Sequence, residues 1–212
     1  QEPRLFAVPV VDASRRTNLS TVAGTIRFWF RPSWSSLPLG GKGPGTEARL
    51  FEVGAWTDKR SVGWWSLQSS EGGETLAFVA TSQGQCLEIL RTPIRWREGE
   101  WRQVAFSYSP LGSWLFVDGQ LAAEGPAVAL LPLDKAPGVL GLCLGSDARG
   151  ANLAQGHFDE LTLLGAPQDG SQVAWSYSRQ AGLAALGLIP PEEDAARLAR
   201  LAAAQADGLV VS

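Results

Sequence analysis

A chain of 212 residues is long enough to bury a core of its own, so neither disulfides nor metals are needed merely to reach stability. Hydrophobic residues at 45% and charged residues at 18% exclude a disordered chain, and a formal net charge of −3 argues against nucleic-acid binding by bulk electrostatics. No apolar run approaches the length of a membrane span, so membrane insertion is not expected.

Residues 25–31 (TIRFWFR) alternate strictly, which predicts a strand with Ile26, Phe28 and Phe30 on one face and Arg27, Trp29 and Arg31 on the other. Pro32 ends it by removing a ladder donor. The glycine-rich stretch 39–45 reads as a mobile loop. Residues 49–53, 63–68 and 75–80 read as further strands, the last two joined as a hairpin around Ser70-Glu71-Gly72-Gly73. In 101–108 (WRQVAFSY), Val104, Phe106 and Tyr108 share a face. Trp114 to Val117 then runs into Asp118-Gly119, a two-residue hairpin signal in which both turn positions need positive φ. Residues 139–144 and 158–164 complete about nine strands, a spacing that predicts an all-β antiparallel two-sheet jelly-roll sandwich. The predicted sheet interface holds Ile26, Phe28, Phe30, Val104, Phe106, Leu115, Val117, Leu161 and Leu163.

Near residue 168 the pattern changes to helix. Asp169 or Ser171 caps a short helix through Ser178, and Pro190-Pro191-Glu192-Glu193-Asp194 opens a second. We therefore expect a jelly-roll domain over residues 1–180 and a helical extension or linker over 181–212. The weak apolar stripe around Leu198 and Leu201 should dock residues 183–206 on the outer aromatic face. Methionine is absent even at position 1, which predicts a processed or excised piece of a longer chain. Cys86 and Cys143 fit a disulfide, two buried thiols, or neither.

The order of motifs resembles a known family. GTIRFWFRPSW (24–34), ARLFEVG (48–54), WRQVAFSYS (101–109), WLFVDGQLA (114–122), LCLGS (142–146) and HFDELTLL (157–164) follow the laminin-G-like, concanavalin A-like jelly rolls. The resemblance covers about residues 5–180. It implies a module of a large secreted or cell-surface bacterial protein, with neighbouring domains or a cell-surface glycan as its partner. It does not supply a ligand, since the fold hosts lectins, hydrolases, adhesins and spacers.

The residues themselves argue against catalysis. Retaining glycosidases need two carboxylates about 5 Å apart, and neither Glu88 nor Asp159-Glu160 has a same-face acid two residues away. His157 is the only histidine and has no triad or zinc partner. Two sites stay open. Arg27, Trp29, Arg31, Trp101 and Trp114, with Phe116, lie on the outer face, where tryptophan beside arginine can stack and hydrogen-bond sugars or can pack against another segment. Asp159 shares the phase of Leu161 and Leu163, which predicts a core-facing carboxylate. Loop amides would satisfy it, while the family resemblance implies a calcium ion there, with main-chain carbonyls as the other ligands. Trp56, Trp64 and Trp65 stay unassigned. We expect a non-catalytic binding or architectural module. The alternative is a carbohydrate-binding, lectin-like module with a defined sugar site, and a glycoside hydrolase comes third. An open aromatic groove distinguishes the lectin and a covered aromatic face the scaffold.

Overall fold

The computed structural model describes residues 6–57, 59, 61–82, 85–128, 131 and 138–185. Its strands are β1 (Phe6–Pro9), β2 (Gly24–Pro32), β3 (Ala48–Trp56), β4 (Ser61–Ser69), β5 (Thr75–Ser82), β6 (Gln85–Pro93), β7 (Arg102–Ser109), β8 (Gly112–Val117), β9 (Gln120–Gly125), β10 (Val139–Leu144) and β11 (Gly156–Leu164), followed by helix α1 (Gly170–Ala185). They form two antiparallel sheets, one ordered β1-β10-β3-β4-β5-β6 and the other β11-β2-β7-β8-β9. This is the predicted sandwich, with β1 and β6 added to the nine strands read from the sequence.

Alternation on β2, β7 and β8 fixes the interface. Ile26, Phe28, Phe30, Val104, Phe106 and Leu115 are fully buried, and Val117, Leu161 and Leu163 pack against them from the margin. From the opposite sheet come Phe51, Trp65, Leu67 and Phe78. Phe78 stacks on Phe106 with ring centroids 3.9 Å apart, and Phe106 stacks on Tyr108 at 5.6 Å. Burying each such ring contributes roughly 1.5–3 kcal/mol. Burial without a charged partner raises the Tyr108 phenol's pKa, and its hydroxyl is satisfied by donating to the Ser20 carbonyl.

The Asp118-Gly119 turn has φ of 50° and 78° at its two positions, as a two-residue hairpin of this type requires. The glycine-rich stretch is not loose. Gly43 and Gly45 N–H groups donate to the carbonyls of Ser35 and Glu71, and Gln155 Nε2 donates to that of Pro44 at 2.6 Å. Cys86 lies exposed on β6 and Cys143 buried on β10, both as free thiols. Four strand spacings separate β6 from β10, roughly 19 Å, which rules out a disulfide between them. Helix α1 runs past the predicted boundary at residue 180, and the remaining extension, 186–212, lies outside the described residues.

Candidate functional site

Helix α1 decides what the outer face of the five-stranded sheet can do. Asp169 and Gln172 form a reciprocal cap: Gln172 N–H donates to Asp169 Oδ1 at 2.9 Å, and Asp169 N–H donates to Gln172 Oε1 at 3.0 Å. The Ser171 hydroxyl, donating to the same carboxylate, is the main reason the Asp169 pKa is lowered. Val173, Ser176, Tyr177 and Gln180 then recur at helical spacing on one side. Val173 is fully buried against Ala105 and Phe116, with Trp114 packed beside them. Tyr177 stacks on Trp29 with centroids 5.8 Å apart. Gln180 Oε1 accepts from Trp29 Nε1 at 3.0 Å and from Gln103 Nε2 at 2.7 Å, while its Nε2 donates to Glu160.

Of the five residues read as a ligand face, Trp29 and Trp114 therefore lie under or beside the helix. That cover comes from α1, while most of the segment expected to provide it, 183–206, lies outside the described residues. Arg31 sits over the Trp101 ring at 5.0 Å. Arg27 remains at the helix flank, its Nη1 donating to Gln168 Oε1 at 3.3 Å. Burial lowers its pKa, with the nearby charge of Glu160 opposing that shift.

Asp159 does not face the core. Phe158 pairs with Phe30 and packs on it at 4.8 Å, so Asp159 pairs with Trp29 on the opposite face. A bulge between Asp159 and Thr162, with Glu160 at φ 49°, resets the phase and returns Leu161 and Leu163 to the core. Strict alternation along an unbroken strand would have turned Asp159 inward with Leu161 and Leu163, and the bulge breaks that phase. Asp159 Oδ1 accepts from the Glu160 N–H at 2.8 Å. It also lines a cleft of about 540 Å³ with Phe6, Leu153, Gln155 and Glu160, between β1, β10 and β11. Among the described residues, no three histidine, cysteine, aspartate or glutamate side chains converge on a metal-sized site. His157 is exposed on β11, opposite Arg31.

The outer face of the six-stranded sheet is different in kind. Register aligns Arg49, Gln68, Ala77 and Arg91 across β3, β4, β5 and β6, and aligns Glu52, Ser66, Val79 and Glu88 beside them. Cross-strand partners share a face. Because Phe51, Leu67 and Phe78 point into the core, these two rows point away from it. Ala77, Val79 and Ser66 are nearly buried, whereas the side chains of Arg91 and Glu88 are 53% and 41% exposed. Short side chains thus form a floor among long polar ones, over three strand spacings or roughly 14 Å.

The rows are internally tied. Arg49 donates to Ser66 and pairs with Glu47 at 3.1 Å, and Arg91 forms a fork with Glu88. That fork lowers the Glu88 pKa. Burial raises the Glu52 pKa, although Arg49 lies 3.9 Å away and the Ala148 N–H donates at 3.3 Å. The Cys143 thiol beside it is pushed up to about 12, chiefly by burial. The Arg49 Nε–H is buried without a partner. Sequence reading missed this face, since its members come from four strands and only pairing register brings them together.

A two-sheet antiparallel sandwich, sealed by a helix on one outer face and polar on the other, is a lectin-type jelly roll. The chain belongs to the concanavalin A-like lectin/glucanases superfamily, whose laminin G pattern matches residues 9–174. No curated protein matches its sequence. Its fold is similar to that of Trypanosoma rangeli sialidase in complex with 2,3-difluoro-KDN (TM-score 0.59, 14% identity), covering 83% of this chain and 26% of the sialidase. The chain thus spans about a quarter of that enzyme. It is also similar to the CBM40 of Ruminococcus gnavus IT-sialidase, with a TM-score of 0.53 and 17% identity over 81% of this chain and 96% of that one. The same module bound to α2,3-sialyllactose gives a TM-score of 0.53, with 16% identity and the same coverage.

Proposed function

We propose that this domain is a non-catalytic carbohydrate-binding module of a larger extracellular protein, and that the polar face of the six-stranded sheet contacts the glycan. The observation that carries this reading is the pair of rows Arg49-Gln68-Ala77-Arg91 and Glu52-Ser66-Val79-Glu88. Sugar hydroxyls both donate and accept, and a face presenting arginine, amide and carboxylate groups meets both needs. The guanidinium fork of Arg91 also suits a sugar carboxylate, because its exposed pair with Glu88 is a weak competitor. A module of similar fold, spanned almost whole by this chain, has been solved with α2,3-sialyllactose, which makes that trisaccharide the first ligand to test.

The helix over Trp29 supports the packing alternative for the aromatic face, and the polar face opposite is the better candidate for the glycan. Lack of catalysis is supported by the likeness to a CBM40 that this chain spans almost whole, against the sialidase of which it spans about a quarter. Isothermal titration with α2,3-sialyllactose should show binding that Arg91→Ala and Gln68→Ala each weaken about tenfold, with no free sialic acid released on incubation. Absence of binding to any of a panel of acidic and neutral glycans, or binding indifferent to both substitutions, would overturn the proposal.

A further inference from the structure

Trp175 is 65% exposed on a helix whose neighbouring turns are well packed. Gln172, Trp175 and Arg179 recur at i, i+3 and i+7, so they form one flank of α1, turned toward β2 and β11 rather than into the sheet. That flank borders a cleft of about 660 Å³, which Arg27 and Gln168 also line, within the size range of small-ligand sites. Arg179 lies over the Trp175 ring at 5.4 Å, and the residue stays largely exposed with that contact made.

Two glutamines are anchored by their oxygens. Gln168 Oε1 accepts from Arg27, and Gln172 Oε1 accepts from the Asp169 backbone. Their Nε2 groups have no protein partner among the described residues. The cleft thus offers an aromatic plate beside several hydrogen-bond donors. An apolar ligand would strand those donors away from water. A ring with an apolar face and a hydroxylated rim satisfies both features.

We propose that this cleft is a second saccharide site, in which a neutral hexose ring stacks on Trp175 and its hydroxyls accept from Gln168, Gln172 and Arg27. It lies on the opposite sheet from the polar rows and does not depend on them. Two sites on opposite faces make the domain bivalent, able to link two glycan chains or to gain avidity on one surface.

The test is a titration of the ¹⁵N-labelled domain with lactose, cellobiose and mannobiose, following the indole N–H signals. At least one sugar should shift the Trp175 signal, and Trp175→Ala and Gln172→Ala should each weaken its binding about tenfold. Trp175→Ala should leave the melting temperature and the Arg91-dependent binding of α2,3-sialyllactose unchanged. If none of the three moves Trp175, or if a sugar binds equally well to Trp175→Ala, the second site is wrong. If no glycan of the panel binds through Arg91 and Gln68 while a neutral sugar still shifts Trp175, only the polar-face reading is lost.

Discussion

Gln180 offers a sharp test of how the helix is held to the sheet. Its Oε1 is the acceptor for Trp29 Nε1 at 3.0 Å and for Gln103 Nε2 at 2.7 Å. Gln103 is 1% exposed, and its own Oε1 already lacks a partner. In Gln180→Ala the Gln103 amide would lose its acceptor where water does not reach, while the half-buried Trp29 indole recovers part of its loss from solvent. A stranded buried donor costs about 1–3 kcal/mol and a replaceable bond less, so the sum is about 2 kcal/mol. For a chain of this size that corresponds to a fall of about 4–8 °C in Tm. Gln180→Glu keeps the acceptor but sets a carboxylate against Glu160, which now takes the amide's donor. Its melting temperature should fall at neutral pH and recover as the acids protonate. Near-UV circular dichroism melts at pH 7 and pH 4 measure both effects. A Gln180→Ala protein within 1 °C of wild type would show that Trp29–Tyr177 stacking and Val173 burial hold the helix alone.

Gly119→Ala should destabilise more than Gly99→Ala in denaturant titrations. Both glycines have φ near +79°, for which an L-residue costs about 1–2 kcal/mol, but only at Gly119 would the new Cβ meet Tyr177, at 2.9 Å. At Glu52, burial favours the neutral carboxyl, so its contribution is complete below the ordinary value of 4.5 and is lost as the pH rises through the higher folded value. Glu52→Gln should therefore raise Tm at pH 7 and leave it unchanged at pH 3. Asp159→Ala should cost about 1 kcal/mol by removing the Glu160 N–H acceptor, and a chelator should not shift the melt of the wild-type protein.

The strands facing the core were legible because period-2 alternation survives on them, as in Ile26-Phe28-Phe30 and Val104-Phe106-Tyr108. Asp118-Gly119 was legible because few residue pairs tolerate two positive φ values. Asp159 was misread for a physical reason. Glu160 adopts φ 49° without being glycine, so no residue type announced the bulge that reverses the strand's phase. The helix clamp had a readable signal in the spacing of Val173, Tyr177 and Gln180, but its target needed the sheet. Arg49, Gln68 and Arg91 carry no motif at all, because their proximity exists only once three strand pairs have settled into register.

The two sides of the sandwich are not equally closed. Along one side β9 lies so near β6 that a Cβ on Gly125 would sit 2.7 Å from the Ile89 carbonyl. Along the other, β1 and β11 are both terminal strands, and between them lies the cleft that leaves Phe6 half in water. The molecule thus resembles a book with a bound spine and a loose fore-edge. Partial opening that keeps the β6–β9 seam intact starts at this cleft, so amide exchange should be fastest on β1 and β11 and slowest on β5, β7 and β8. A neighbouring domain or glycan resting on the fore-edge would stabilise the whole module from its weakest margin.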